Sequence, residues 1–305
     1  MPEFSGPSVS GVSTQRDRTV GVTTQLASQA SINFGSSIAG LLIPIVGSVI
    51  VVAVRQVVIA LVLVPTVRPR IRGRSLRSLW PVLALGIILA GMNLSFYEAV
   101  GRIGLGIAVT IEFLGPLAIA LITSRRILDV ACALGAGLGV WLLAGTDGRL
   151  DAVGIMLALV AGAAWAAYIL VARIVATRFA GLDGLTLASI VAVVAILPAA
   201  LAVIDYSTID WRVLGLLVAT GVLCSAIPYS LDSVVLRRIT PRLYAIVTSC
   251  APVMAALFGW LILSQSLTLQ QVLAIVLVCV AAATAFATQR DRPVSELEAT
   301  AVSTP

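Results

Sequence analysis

The sequence predicts an all-α polytopic membrane protein of ten transmembrane helices, built as an inverted five-plus-five repeat. Three observations carry that expectation. The composition is too apolar to be wetted on every side, ten apolar runs have the length needed to span a bilayer, and the arginines alternate between the connecting segments. Of the 305 residues, 59% are hydrophobic and only 11% are charged, whereas a soluble domain carries about 25% charged residues on the surface it shows to water.

The absences are as informative. There is no His, and all twenty basic residues are Arg. Without Lys there is no Walker A phosphate loop and no Schiff-base chemistry. Without His there is no Ser-His or Cys-His catalytic pair and no HExxH metal site. The sequence therefore points away from an enzyme and implies neither cofactor nor metal. Cys132, Cys224, Cys250 and Cys279 lie inside apolar runs with no CxxC spacing, and they read as small buried hydrophobes. The net charge of +6 reflects where the arginines sit along the chain and signals orientation rather than nucleic-acid binding.

Taken in order, residues 1–20 are polar, contain Pro2 and Pro7 and lack the three-part pattern of a signal peptide. They are expected to form a disordered cytoplasmic tail, as are residues 290–305. Between the tails lie apolar segments at 22–43, 48–66, 79–98, 104–123, 127–145, 152–172, 183–204, 213–236, 241–263 and 268–288, each close to the roughly 20 residues a spanning helix needs. The first carries Gln25, Ser28, Gln29, Ser31, Asn33, Ser36 and Ser37, so it should face protein rather than lipid. Gly135, Gly137 and Gly139 in the fifth allow close approach of a neighbouring helix.

With the N-terminus in the cytoplasm, sixteen arginines fall in cytoplasmic segments, Arg102, Arg149 and Arg212 fall outside, and Arg55 lies within the second span. This is the positive-inside pattern. It places the protein in a plasma (inner) membrane with both termini cytoplasmic, and an odd number of spans would scramble it. The chain also repeats. A shift of 136 residues brings Pro116 onto Pro252, Leu121 onto Leu257 and Arg102-Ile103 onto Arg238-Ile239 (238 − 102 = 136). The halves are residues 21–146 and 147–289. Five spans is an odd number, so the second half enters the membrane inverted, which is a transporter architecture.

Charged groups at membrane depth cost about 2.5–3.5 kcal/mol each on the insertion scale and need a partner or a purpose. Arg55 and Glu112 are each about 10–12 Å from the outer ends of their helices at 1.5 Å per residue, and Asn93 reaches a similar level. Arg55 and Glu112 are therefore expected to face a common cavity. They either pair or serve a substrate in that cavity, and Glu112 is also a candidate for carrying a proton. Gly115-Pro116 and Pro252 open the helix ladder, as packing kinks or as a source of free carbonyls. Trp165 and Tyr168 lie mid-span, as an aromatic wall or as packing. Ser225, Tyr229 and Asp232 share a helix face at i, i+4, i+7. Asp232 is close enough to the cytoplasmic end to be either a solvated carboxylate or a second proton site. Glu98 sits at the outer boundary and is expected to be solvated.

The stretches ASINFGSSIAGLLIPIVG at 30–47, GMNLSFY at 91–97, LGIAVTIEFLGPLAIALITSRR at 105–126, GAAWAAYIL at 162–170 and IPYSLD at 227–232, with the Pro252 helix, together resemble the EamA-type drug/metabolite transporters and, within them, the threonine/homoserine exporter subfamily. The resemblance covers the whole membrane region in order. It implies ten helices, cytoplasmic termini and export of amino acids or related small polar metabolites. With such a cargo, Arg55 and Glu112 would clasp the carboxylate and ammonium of an amino acid, and Asn33, Tyr97 and Tyr229 are further candidates for substrate contact. The sequence departs from the family pattern at Ala251 before Pro252 and at Ser264-Gln265, which removes two carboxylates. The expected function is secondary export by alternating access, coupled to protons or to the substrate gradient. The alternatives are export of drugs or nucleotide sugars by the same fold, or a non-transporting scaffold. The expected partners are a small-molecule substrate and the lipid bilayer, with no nucleic acid, and the chain acts as a monomer or homodimer.

Overall fold

The computed structural model describes residues 15–69, 76–122, 127–144, 151–228, 231, 235 and 238–288. Among the described residues all regular structure is helical. The helices are α1 (Gln15–Val46), α2 (Ser48–Val67), α3 (Leu76–Ile103), α4 (Leu105–Glu112), α5 (Leu114–Ile122), α6 (Ile127–Ala144), α7 (Ala152–Arg178), α8 (Asp183–Val203), α9 (Trp211–Gly221), α10 (Pro241–Thr248), α11 (Ala251–Leu263) and α12 (Leu269–Thr288). α4 with α5 makes one crossing and α10 with α11 another, and α9 runs on into a π-turn at Val222–Ala226. Eight of these helical stretches are long and apolar enough to cross a membrane, and Val130–Leu143 and Trp211–Ala226 are shorter apolar helices.

Local chemistry sets the ends. α1 starts at Gln15, seven residues before the expected span, so residues 15–20 are helix rather than tail. Asp17 lies in its first turn, where a carboxylate favours the helix dipole, and Thr19 and Thr23 donate back to the carbonyls of Gln15 and Thr19. Gly47 alone joins α1 to α2 and Gly104 alone joins α3 to α4. Their φ angles of 80° and 83° belong to a region that L side chains avoid. Asp151, Asp210 and Thr240 cap α7, α9 and α10 through their side-chain oxygens, each satisfying an amide that the helix leaves open.

The outer surface is apolar, and a set of polar side chains is buried among the apolar ones inside. Ile122, Leu134, Trp141, Val194, Trp260 and Leu269 stand exposed, while Gln25, Gln29, Asn33, Gln56, Asn93 and Glu112 are buried. In water that arrangement would be costly; in a bilayer it is the stable one. Small residues let backbones touch. A Cβ on Gly115 would come within 2.0 Å of the Gly162 carbonyl, and one on Gly139 within 3.1 Å of the Ala274 carbonyl, whereas Gly137 faces open space. Of the three α6 glycines, Gly139 is thus the one that makes a tight approach.

The helix boundaries repeat at the sequence shift. α4 and α10 begin 136 residues apart (241 − 105) and end 136 apart (248 − 112), and α2 and α8 begin 135 apart (183 − 48). The packing is reciprocal as well. α3 packs on α7 as α9 packs on α1, α3 on α8 as α9 on α2, and α5 on α7 as α11 on α1, while α2–α8, α4–α11 and α6–α12 pair across the pseudo-axis. Ile103 covers Gly154 at the start of α7, and its counterpart Ile239 covers Gly21 near the start of α1. The first of these connections adjoins the far end of α1, where Gly101 meets Ile43, and the second adjoins its beginning. Equivalent connections therefore lie at opposite ends of one helix, which is the inversion. At the Ile103 end, Arg102 pairs with Asp151 at 2.7 Å, and this hydrogen bond holds the Asp151 carboxyl below its usual range. Glu98, half-buried, is not simply solvated, because Ser48 donates to it.

Gly115→Ala is expected to destabilise the folded protein by about 1–3 kcal/mol through overpacking, read as a lower melting temperature in detergent. Gly137→Ala should leave that temperature unchanged.

Candidate functional site

The polar interior is assembled from one face of each of several helices. On α3, Asn93 and Tyr97 are four residues apart and share a face. Both are buried, Tyr97 at 0% exposed. Asn93 is fixed by donating its amide to the Leu89 carbonyl at 2.7 Å. From α2, Arg55 donates through Nη1 to Asn93 Oδ1 at 2.7 Å and to the Tyr97 hydroxyl at 3.0 Å, and its guanidinium stands 5.6 Å from the centre of the Tyr97 ring. α1 closes the group, with Ser36 Oγ 3.4 Å from the Tyr97 hydroxyl. Asn33, one turn earlier, turns its amide back to the Gln29 carbonyl.

The partner of Arg55 is therefore not Glu112. Among the described residues no ion pair joins them. Their similar depth was legible in the sequence, but the direction each side chain takes around its helix was not. Glu112 is 9% exposed and ends α4. The ring of Pro116 has no N–H for the Glu112 carbonyl, and the helix is interrupted at Phe113 before α5 resumes. That carbonyl comes within 2.9 Å of where a Cβ on Gly162 of α7 would lie. The second half breaks equivalently. α10 ends at Thr248, four residues before Pro252, and α11 resumes at Ala251.

Trp165 lies against Phe113 with ring centres 5.8 Å apart and belongs to an apolar cluster with Leu117 and Phe286. Tyr168 packs in a different cluster, with Leu85, Leu89 and Ala188, so the two do not form one wall. Tyr229 and Asp232 lie outside the described residues. Cys224, read from the sequence as packing, is part of the polar group instead. Its sulfur lies 3.7 Å from Ser36 Oγ and 3.8 Å from the Tyr97 hydroxyl, and it donates to the Ile32 carbonyl. The π-turn at Val222–Ala226 alters the winding there, a feature frequent at functional sites with no sequence signature. The run of polar residues on α1 was the signal available for Ser36.

Two inverted helical halves around a buried polar interior define a secondary-transporter architecture, and comparison with known proteins agrees. Residues 152–287 match the EamA-like transporter family. The chain is 36% identical over 272 residues to the threonine/homoserine exporter RhtA of Salmonella typhimurium (strain SL1344), covering 88% of this chain and 92% of that one. It is 37% identical over 254 residues to RhtA of Escherichia coli (strain K12), covering 82% and 85%. A solved crystal structure aligns over 96% of this chain and 100% of its own with a TM-score of 0.59 at 19% identity, a likeness of fold. The chain belongs to the EamA-type transporters, in the subfamily of the threonine/homoserine exporter RhtA.

Asn93→Leu removes an acceptor from the partly buried Arg55 guanidinium. It is expected to destabilise the protein by about 1.5–3 kcal/mol, measured as the shift in thermal unfolding in detergent.

Proposed function

We propose that the protein exports small amino acids, threonine and homoserine first among them, across the plasma membrane, with both termini in the cytoplasm. Its two halves, 21–146 and 147–289, exchange roles to expose the interior alternately to each side. The observation that carries this reading is an interior in which Asn93 and Tyr97 hold the Arg55 guanidinium and in which Glu112 is buried. A zwitterion presents a carboxylate and an ammonium. Arg55, oriented by Asn93 and Tyr97, supplies the planar fork of donors that suits a carboxylate. Glu112 supplies the opposite charge beside a carbonyl that Pro116 leaves without its helical donor.

Glu112 is also the proposed coupling group. A carboxylate that receives either the substrate ammonium or a proton, but not both, exchanges one for the other as the interior changes sides. The names of the two RhtA relatives and the sixteen-to-three arginine asymmetry support the cargo and the orientation. The polar groups named above all belong to one chain, which acts as a monomer or a homodimer.

Efflux of labelled threonine and homoserine from proteoliposomes, with and without a proton gradient, tests the reading. Wild type is expected to show gradient-stimulated efflux, and Glu112→Gln is expected to lose the stimulation. Equal efflux in both proteins would reduce Glu112 to a structural role. No amino-acid efflux from folded wild type would refute the substrate class.

A further inference from the structure

The second helix break carries a group of polar atoms that the site above does not use. Gln25 of α1 is 0% exposed, and its Nε2 donates to Thr248 Oγ1 at 2.9 Å. The Thr248 hydroxyl has a single proton, which goes to the Tyr244 carbonyl at 2.9 Å. Thr248 Oγ1 can therefore only accept from Gln25. This holds the amide NH₂ against the threonine and fixes the orientation of the whole amide. The consequence is that Gln25 Oε1 is a buried acceptor with no donor among the described residues. Ser28 Oγ, 1% exposed and one turn further along α1, has no partner among them either. Thr248 is also the residue whose carbonyl loses its helical donor to Pro252. Buried acceptors in native proteins are almost always given a donor, and among the described residues none serves this cluster.

The place of the cluster in the fold says what that donor is. Thr248 is the repeat counterpart of Glu112 (248 − 112 = 136), and each ends a helix that begins seven residues earlier (112 − 105 and 248 − 241). At 1.5 Å per residue each break lies about 10 Å inside its own end, and because the halves are inverted the two ends are opposite. One break presents a carboxylate; the other presents neutral oxygen acceptors. An ammonium group carries three donors and no acceptor, and it suits both.

We propose that Gln25, Ser28 and Thr248 form a second station for the substrate ammonium, at the cytoplasmic end, occupied before the substrate reaches Glu112. The inference rests on the export of amino acids proposed above. A neutral acceptor set replaces water around the ammonium without holding it as tightly as a carboxylate does, so the substrate is passed inward rather than retained.

The test is the KM for threonine measured separately from each face, in proteoliposomes of known protein orientation, for wild type, Gln25→Leu and Ser28→Ala. Losing a hydrogen bond to a charged group is expected to raise the cytoplasmic-face KM on the order of tenfold in Gln25→Leu and by about threefold in Ser28→Ala, with the opposite-face KM unchanged. Gln25→Glu, which places a charge at the station, is expected to lower the cytoplasmic-face KM below that of Gln25→Leu. Ser28→Ala is a small change that keeps the test open should Gln25→Leu fail to fold. Unchanged KM at the cytoplasmic face in folded variants would mean that the orphan acceptors bind water only and would overturn the proposal. An equal rise at both faces would overturn it too. Wild type that moves no amino acid would instead refute the export reading itself, and the station with it.

Discussion

Arg55 places a guanidinium inside a bundle whose outer surface is hydrocarbon. The interior has to be arranged around that guanidinium. Asn93 and Tyr97 meet it from one face of α3, and Ser36 and Cys224 extend the hydrogen-bonding layer to α1 and the π-turn of α9. Each of these groups would be costly against lipid. Gathered in one layer they hydrogen-bond one another, set among the apolar side chains that fill the rest of the interior.

The second constraint is proline without an amide hydrogen. Pro116 and Pro252 each release the carbonyl four residues earlier, and the helices end at those residues, Glu112 and Thr248. Because the two halves are inverted copies, the breaks face the bundle interior at matching depths from opposite ends. Glycines make this geometry possible. Gly162 allows α7 to approach the Glu112 carbonyl, and Gly106 allows α4 to lie against the Ala256 backbone of α11. The pseudo-symmetry thus extends beyond connectivity to the points where backbone polarity is exposed to the interior.

Much of the fold was legible because a bilayer imposes a length. Ten apolar runs near twenty residues, punctuated by arginines, have few other readings. The repeat was legible through Pro116 and Pro252 and through the Arg-Ile pairs, whose isoleucines turn out to cover equivalent glycines at opposite ends of α1. The candidate site was less so. Asn93 and Tyr97 stand four residues apart, so their shared face was readable, but the angular position of Glu112 relative to Arg55 depends on how α2 and α4 are rotated in the bundle. A π-turn is a change in winding that no residue pattern announces, and so Cys224 looked like packing. Gln25 was visible as a polar residue in the first span; that one of its amide atoms is satisfied and the other is not depends on the proton of Thr248.

The central claim is that the layer around Tyr97 is reached from one side of the membrane at a time. The direct measurement places a single cysteine at Ser36 in a background without Cys132, Cys224, Cys250 and Cys279, and follows its labelling by impermeant thiol reagents from each face of oriented vesicles. Reaction from either face is expected, with a shift in the ratio of the two rates when threonine is added. Reaction from neither face would contradict it by making the interior a sealed structural core. Rates that threonine leaves unchanged on both faces would contradict it as well.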